Sequence, residues 1–209
     1  MRITGGTYRS RALRAPHGHA TRPTTDRVRE ALFGILTSAG GVDGARVLDL
    51  YAGTGALALE ALSRGAASAV LVESSRDALV ALRANIAALG VEDRARVVPG
   101  DVAQAVRRLG RAGPSGRVAP AAAEAAFDLV FADPPWAALD APLDHDHPVA
   151  ALSALAHDLG IAEEGRVVLE HSSRTIPLDV DGLVRLDTRR YGDTALTFYK
   201  PAILGALRH

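Results

Sequence analysis

The most informative segment of this sequence is Asp49-Leu50-Tyr51-Ala52-Gly53-Thr54-Gly55. It overlaps the apolar run at residues 46–50, which predicts a β-strand, and leads into residues 56–63, which predict a helix. Its two glycines permit a tight turn and let a ligand approach the backbone closely. The segment therefore predicts the first strand, turn and helix of a ligand-binding α/β sheet.

The same alternation of short apolar runs and amphipathic runs continues along the chain. Strands that alternate with helices favour parallel pairing. Two final β-prone runs, joined through a Tyr-Gly-Asp turn, predict an antiparallel hairpin. The fold class is therefore α/β, a Rossmann-like and mostly parallel sheet of seven strands that ends in this hairpin. The predicted strands cover residues 46–50, 69–73, 96–98, 127–132, 166–170, 183–190 and 195–199, and the predicted helices that alternate with them cover 56–63, 77–89, 102–109 and 149–159.

The length of 209 residues predicts one domain with a small amino-terminal extension. Residues 1–20 mix glycine and proline with β-prone pieces, which predicts a loose hairpin or an extended arm. Thr24 or Thr25 can cap a helix that ends at the following Gly-Gly pair. We therefore divide the chain into an extension, residues 1–40, and a main domain, residues 41–209. Residues 110–126, rich in Gly, Ala and Pro, predict a flexible insertion.

Positive charge is concentrated at the amino terminus. The whole chain has 24 basic and 24 acidic side chains, which excludes a globally basic protein. Residues 1–30, in contrast, hold seven arginines and two acids, a net charge of +5. This asymmetry indicates a polyanionic partner, although a solvated arm without function would give the same count. The arginines that we expect to bind it are Arg2, Arg9, Arg11, Arg14 and Arg22.

Composition excludes several kinds of site. The sequence has no cysteine, and therefore no disulfide, cysteine-ligated zinc or thiol nucleophile. Lys200 is the only lysine, which excludes a Walker-type phosphate loop. The residues that follow Met1 do not resemble a signal peptide, and no apolar run approaches the length of about 18 residues that a membrane span needs. We therefore expect a cytoplasmic protein with no membrane partner.

Acidic residues lie at or just past the carboxyl ends of the first three predicted strands. With Ala58, the glycine turn also fits the dinucleotide pattern G-x-G-x-x-A, so the glycines alone do not identify the ligand. Asp49 would repel a pyrophosphate but attract the ammonium and sulfonium charges of S-adenosylmethionine. Glu73 can accept hydrogen bonds from both ribose hydroxyls, and Asp101 from the adenine amine. These acids predict a cofactor cleft, unless they stand at the strand ends by chance.

A second motif, Asp133-Pro134-Pro135-Trp136, follows the fourth predicted strand. Consecutive prolines make this turn stiff, because each fixes its own φ and restricts the residue before it. The turn can hold a carboxylate, a carbonyl and an aromatic ring where they bind an exocyclic amine and stack on its heterocycle. Acceptors on the amine hydrogens would direct its lone pair toward a methyl donor. We predict that these four residues are catalytic; the alternative is a plain turn with a buried tryptophan.

The two motifs together resemble the amino methyltransferases of the class I, S-adenosylmethionine-dependent fold. Three segments more narrowly resemble the bacterial 16S ribosomal RNA guanine-N2 methyltransferases, the RsmD family. The resemblance extends over essentially the whole chain. Its segments are Met1-Arg2-Ile3-Thr4-Gly5-Gly6, Arg22-Pro23-Thr24-Thr25-Asp26-Arg27-Val28-Arg29-Glu30-Ala31-Leu32-Phe33 and Asp49-Leu50-Tyr51-Ala52-Gly53-Thr54-Gly55-Ala56-Leu57.

The resemblance implies methyl transfer from S-adenosyl-L-methionine to N2 of the guanine conventionally called 966. It implies that residues 133–136 hold this guanine and that residues 24–27 pack over the cofactor. Trp136 stands where the family usually has Tyr or Phe, which preserves stacking but removes any hydroxyl contact. The insertion at 110–126 has no counterpart in the family. The implied cofactor contacts are Thr25, Asp49, Tyr51, Ala52, Gly53, Thr54, Gly55, Glu73 and Asp101.

Other functions share parts of this pattern. An amino methyltransferase could act on DNA adenine, a tRNA base or a protein glutamine, and a nucleotide-binding oxidoreductase or a non-catalytic RNA-binding module also remains open. A short arm has few groups with which to read sequence and must depend on RNA shape, so we expect the substrate to be the assembled or assembling 30S subunit. We also expect the protein to be a monomer. His145 and His147 alternate with acids, but we expect an acidic loop and no metal site there. His171 is a cleft residue or an ordinary strand-end residue.

Overall fold

A single sheet of seven strands organises the protein, as seen in a computed structural model that describes residues 1–16, 25–110, 126–175 and 178–202. The strands are β1 (Arg46–Leu50), β2 (Ser68–Glu73), β3 (Ala95–Pro99), β4 (Phe127–Ala132), β5 (Ile161–Ser172), β6 (Leu183–Tyr191) and β7 (Thr194–Pro201). Their order across the sheet is β3-β2-β1-β4-β5-β7-β6. The first five pair in parallel, whereas β7 is antiparallel to both β5 and β6. The predicted fold, including its antiparallel hairpin, is confirmed.

Helices cover both faces of the sheet. Thr25 caps the first helix by accepting a hydrogen bond from the Val28 N–H at 3.3 Å, and the helix ends at Ser38, before the Gly-Gly pair. A short helix after β4 was not predicted, because four residues are too few to show a helical period. No helix in the described ranges combines the length and apolar character needed to cross a membrane. The helices are α1 (Asp26–Ser38), α2 (Ala56–Ser63), α3 (Arg76–Leu89), α4 (Val102–Gly110), α5 (Trp136–Leu139) and α6 (Pro148–Ala154), which continues as a π-helical turn, Leu155–Leu159.

Alternation along the strands divides the core into two layers. Successive strand residues point to opposite faces of a sheet. Val47, Leu71 and Phe131 therefore pack with α1, α2 and α3, whereas Leu48 and Val130 pack with α4 and α6. This alternation also determines which face the residues at the carboxyl ends of the strands reach.

The amino-terminal arm is a hairpin that packs against the main domain. The Ile3 N–H donates to the Arg11 carbonyl, and the Ser10 N–H to the Ile3 carbonyl, each at 2.9 Å. Ile3 is fully buried, and together with buried Leu13 it belongs to the same core layer as α1–α3. Of the two forms predicted for the arm, the hairpin is present. It is part of the core and not a solvated tail.

Glu60 of α2 attaches this hairpin to the main domain. Its fully buried carboxylate accepts hydrogen bonds from the N–H and the hydroxyl of Thr4, both at 2.7 Å, and from Nε of Arg64 at 2.8 Å. Nε of Arg29, which is also fully buried, lies 3.4 Å from the same carboxylate. Arg29 in turn donates to the carbonyl of Arg2. One buried charge cluster therefore joins the arm, α1 and α2.

Some predictions concern residues outside the described ranges. They are the expected RNA contact Arg22, the alternative helix cap Thr24, and residues 111–125 of the predicted insertion.

Candidate active site

A cavity of about 680 Å³ opens at the carboxyl ends of β1, β2, β4 and β5. Its volume lies within the range typical of small-molecule sites, roughly 300–1,000 Å³. The structure brings the predicted cofactor residues and the predicted catalytic residues to this one cavity. Ten of them line it: Asp49, Tyr51, Ala52, Gly53, Thr54, Glu73, Asp133, Pro134, Pro135 and Trp136.

The turn between β1 and α2 forms one wall with its backbone. Tyr51 has a φ of +65°, which is uncommon outside glycine. Gly55 has a φ of +81°, a conformation that favours glycine, and a Cβ there would lie 2.5 Å from Cδ1 of Leu82, whose side chain would have to shift. The Ala52 N–H donates to the Val72 carbonyl at 2.9 Å, which fixes the turn against β2. The strained turn is therefore held in place by its neighbours.

Asp49 is the most deeply buried carboxyl group of this cavity, with only 1% of its surface exposed. Its Oδ2 accepts a hydrogen bond from the Ala58 N–H at 3.2 Å. Burial raises the pKa of Asp49 from 3.8 to about 7; the hydrogen bond from Ala58 opposes this rise, and the nearby charge of Glu73 adds to it. A bound cation would favour the ionised carboxylate, so the position fits a cationic group better than a phosphate.

Glu73 anchors the glycine turn to the start of α3. Its Oε2 accepts from the Gly53 N–H at 2.7 Å, and its Oε1 accepts from the N–H groups of Ser74 at 2.8 Å and Ser75 at 2.7 Å. A carboxylate offers about four acceptor positions, so one remains on Oε2. Accepting both ribose hydroxyls, as the sequence predicts, would therefore require one backbone hydrogen bond to be shared or released.

The Asp-Pro-Pro-Trp turn directly follows β4. The Asp133 N–H donates to the Leu50 carbonyl at 3.4 Å, Pro134 is buried, and half-buried Trp136 begins α5. Asp49, Glu73 and Asp133 each stand two residues after a core residue of the α1–α3 face. Strand alternation therefore directs Asp49 and Glu73 to the same face of the sheet, and Asp133, one residue past the end of β4, lines the cavity with them.

Three predicted cofactor residues do not line the cavity. Gly55 is buried, and Thr25 caps α1. Asp101 is exposed and accepts a hydrogen bond from the Gln104 N–H at 3.1 Å at the start of α4. It nevertheless lies near the cavity: burial, and secondarily the charge of Asp101, raise the pKa of the Tyr51 hydroxyl. The structure thus gives Thr25 and Asp101 helix-capping contacts, and their contacts with a cofactor stay a prediction.

Other lining residues were missed by sequence reasoning. Glu170, near the carboxyl end of β5, is 5% exposed and lines the cavity. Its position gave a usable signal, because an acid also ends the second strand. Met1 and Pro16 of the arm line the cavity too, and no local pattern could have located them there. Ser74 and Ser75, at the start of α3, complete the polar part of this wall.

The predicted RNA contacts of the arm are surface residues. Arg2, Arg9, Arg11 and Arg14 are all exposed. Arg29 was included in the charge of +5, but it is fully buried in the Glu60 cluster and is unavailable to a polyanion. The charge count therefore overstated the basic surface by one arginine.

The histidines have local contacts. His147 caps α6, since its Nδ1 accepts from the Val149 N–H at 3.1 Å, and His145 lies 3.2 Å from the carboxylate of Asp146 at an exposed position. His171 is buried, and its Nε2 lies 2.8 Å from the Thr197 hydroxyl. Within the described ranges, no group of three metal-ligating side chains converges.

A sheet in this order, with a glycine turn after β1 and an Asp-Pro-Pro-Trp turn after β4 at one cavity, defines a methyltransferase of the class I fold. Comparison with solved structures agrees. The structure of yhhF from Escherichia coli, described as a proposed methyltransferase, is 33% identical with a TM-score of 0.72, and the match covers 96% of this chain and 97% of that one.

The chain belongs to the family described as conserved hypothetical protein 95, whose model matches residues 1–200. It is 33% identical over 202 residues to YlbH of Bacillus subtilis (strain 168), whose name proposes an rRNA methyltransferase; the match covers 96% of this chain and 98% of that protein. It is 40% identical over 136 residues to the ribosomal RNA small subunit methyltransferase D of Escherichia coli (strain K12), covering 65% of this chain and 60% of that enzyme. The resemblance to the RsmD family is confirmed.

Proposed function

We propose that this enzyme transfers a methyl group from S-adenosyl-L-methionine to N2 of one guanine of 16S ribosomal RNA, at the position conventionally called 966. The observation that carries the proposal is that Asp49 and Glu73 share one cavity with Asp133 and Trp136. The names of the relatives support ribosomal RNA as the substrate. Guanine N2 and the position rest on the resemblance to the family.

The charges of the cavity fit this cofactor. Among its described lining residues are four carboxyl groups, Asp49, Glu73, Asp133 and Glu170, and no arginine or lysine. Such a cavity favours a cationic ligand and disfavours a pyrophosphate, which argues against the oxidoreductase alternative. Asp49 would hold the cationic end of the cofactor, and Glu73 would accept from a ribose hydroxyl. When bound, S-adenosylmethionine supplies a methyl group on a positively charged sulfur, which is an activated leaving group.

The Asp-Pro-Pro-Trp turn would hold the target base. Trp136 replaces the stacking neighbours of a guanine that is flipped out of the RNA. Asp133 and a turn carbonyl accept hydrogen bonds from the N2 amine and direct its lone pair toward the methyl group. Methyl transfer, which leaves S-adenosylhomocysteine as the second product, requires the amine to lose one proton, and Asp133 or a water molecule would accept it. The contribution of the protein is mainly positioning.

Exposed arginines of the arm would bind the RNA backbone. The arm carries them beside the cavity, since Met1 and Pro16 belong to its wall. A short basic arm has few groups with which to read base sequence, so recognition would depend on RNA shape. We therefore propose that the substrate is the assembled or assembling 30S subunit. We also propose that the enzyme is a monomer and acts in the cytoplasm.

Methyl transfer to isolated subunits tests this function directly. Small subunits from a strain that lacks the modification would receive labelled S-adenosylmethionine and the purified enzyme, and nucleosides from the digested RNA would then be identified. We expect one label per subunit, in N2-methylguanosine at position 966, and less transfer to naked RNA. Label in N6-methyladenine, in tRNA or in protein would contradict the guanine assignment and indicate another target. No transfer to any RNA would contradict the proposed function altogether.

A further inference from the structure

Asn85, the only asparagine of the chain, lies on the buried face of α3 and is 1% exposed. Its Oδ1 accepts a hydrogen bond from the Arg14 N–H at 2.7 Å, and its Nδ2 donates to the Arg14 carbonyl at 3.1 Å. The same Nδ2 also donates to the Thr54 carbonyl, at 3.0 Å. One side chain therefore joins the arm to the glycine turn of the cavity.

These three hydrogen bonds suit a side-chain amide. An amide has one acceptor oxygen and two donor hydrogens, and Asn85 uses all of them here. An aspartate would place its second oxygen against two carbonyls. A leucine of similar size would leave one N–H and two carbonyls without a partner in the interior. The arrangement therefore depends on the chemistry of residue 85 and not only on its volume.

The two segments that Asn85 joins both reach the cavity wall. Thr54 lines the cavity from the glycine turn, and Pro16, two residues beyond Arg14, lines it from the arm. Leu13 is buried in the core, whereas the side chain of Arg14 is exposed. The backbone of Arg14 is thus fixed relative to the glycine turn, while its guanidinium stands at the surface beside the cavity.

We propose that Asn85 is a positioning residue for methyl transfer. It holds Arg14 at a fixed distance from the glycine turn, so that RNA bound by Arg14 brings the target base into line with the cofactor. An arginine on an unattached strand could bind the same phosphate without fixing where the RNA lies. A displacement of about 1 Å in a reacting complex can cost roughly 100-fold in rate. This inference rests on the proposed function and names a residue that keeps its two binding regions in register.

A double-mutant cycle separates positioning from a structural role. Methyl transfer to small subunits that lack the modification would be measured as kcat/KM for the wild-type enzyme, Arg14→Gln, Asn85→Leu and the double variant. Arg14→Gln should lower kcat/KM of the wild-type enzyme by roughly 10-fold, the effect of losing one charged hydrogen bond. In the Asn85→Leu background Arg14 is no longer held in place, so the same substitution should change kcat/KM by less than about twofold.

Control variants identify the cause of this difference. Arg9→Gln removes an exposed arginine of the same arm that Asn85 does not contact, so its effect should be equal in both backgrounds. Leu89→Ala removes a buried apolar side chain from the same helix and lowers stability, but it should leave the effect of Arg14→Gln at its wild-type size. Asn85→Ser leaves room for water beside the three backbone groups and should give the same result as Asn85→Leu with less disturbance of the core.

Calorimetry with S-adenosylhomocysteine measures the contact with the glycine turn. Asn85→Leu should weaken this binding roughly 2- to 10-fold, because the Thr54 carbonyl loses its donor, whereas Arg14→Gln should leave it unchanged. Unchanged affinity in Asn85→Leu would contradict the link to the turn.

Each kinetic effect is a ratio within one background, so it does not depend on how much of a variant is folded. An equal effect of Arg14→Gln with and without Asn85 would overturn the assignment, as would no effect of Arg14→Gln on the wild-type enzyme. If the wild-type enzyme transfers no methyl group to small subunits, the proposed function fails instead, so the two failures are distinguishable.

Discussion

We expect a carboxyl group as buried as Asp49 to make cofactor binding depend on pH. Its pKa of about 7 means that it is largely protonated at pH 6 and ionised at pH 8. A cationic ligand prefers the ionised form, so affinity for S-adenosylmethionine should rise as pH increases, by about tenfold per unit below pH 7, and level off above it. Titration calorimetry between pH 5.5 and 8.5 measures this change, together with the proton released on binding.

The variant Asp49→Asn tests whether this residue is the cause. It should bind the cofactor more weakly at pH 8 and show no dependence on pH across the same range. In the unliganded protein, ionising a carboxyl group whose pKa is raised lowers stability as pH rises from about 4 to 7, so Asp49→Asn should be more stable than wild type at pH 8 and similar to it near pH 4. An unchanged pH profile for binding would contradict the role of Asp49.

Substitutions in the Asp-Pro-Pro-Trp turn should separate chemistry from cofactor binding. Asp133→Ala should leave affinity for S-adenosylmethionine nearly unchanged and abolish most turnover, because its expected partner is the target amine. Trp136→Ala should lose stacking worth roughly 1–3 kcal/mol, whereas Trp136→Phe should retain much of the activity. Calorimetry and single-turnover transfer measure the two properties independently. Normal turnover by Asp133→Ala would exclude its orienting role.

At the scale of secondary-structure elements, the buried charge cluster around Glu60 joins the arm to α1 and α2. Glu60→Ala would remove the buried acceptor of Thr4 and Arg64 and leave Arg29 with Asp26, 2.9 Å away, as its carboxylate partner, so we expect a loss of roughly 1–3 kcal/mol in the free energy of unfolding. Glu92→Ala, at an exposed position, is the matched control and should change stability by less than about 0.5 kcal/mol. Chemical denaturation measures both. A small loss for Glu60→Ala would mean that the arm is not attached through this cluster.

Elements with a strong apolar period could be predicted from the sequence, and long-range contacts could not. Five strands follow from short apolar runs and the last two from β-prone runs. The cavity edge follows because acids stand at the carboxyl ends of parallel strands, which meet at one edge of the sheet. The packing of Ile3 into the core and the pairing of Arg29 with Glu60 join residues distant in sequence, and no local pattern specifies their partners. The same reason explains why Arg29 was counted as surface charge. Glu170 needed only the register between β4 and β5 to be recognised.

At the scale of the whole molecule, the arm and the main domain form one structural unit around the cavity. Ile3 and Leu13 share a core layer with α1–α3, and Met1 reaches the cavity wall. We therefore propose that residues 1–40 and 41–209 unfold together in one transition. Deleting the arm would expose core residues as well as remove arginines, so substitutions of charge are the sharper test of RNA binding.

The exposed arginines of the arm should account for part of the salt dependence of RNA binding. Replacing Arg9 and Arg11 by glutamine would remove two of the proposed phosphate contacts and leave the buried face of the hairpin intact. Affinity for small-subunit RNA should then fall, and the slope of log affinity against log salt concentration should decrease by up to about 1.4–1.8. Arg107 and Arg108 are exposed on α4, which packs in the other core layer, across the sheet from the hairpin. The same substitutions there change the net charge equally but should leave the slope nearly unchanged, with cofactor affinity unaffected in both variants. Equal effects of the two pairs would show that overall charge, and not the position of the arm beside the cavity, directs the enzyme to RNA.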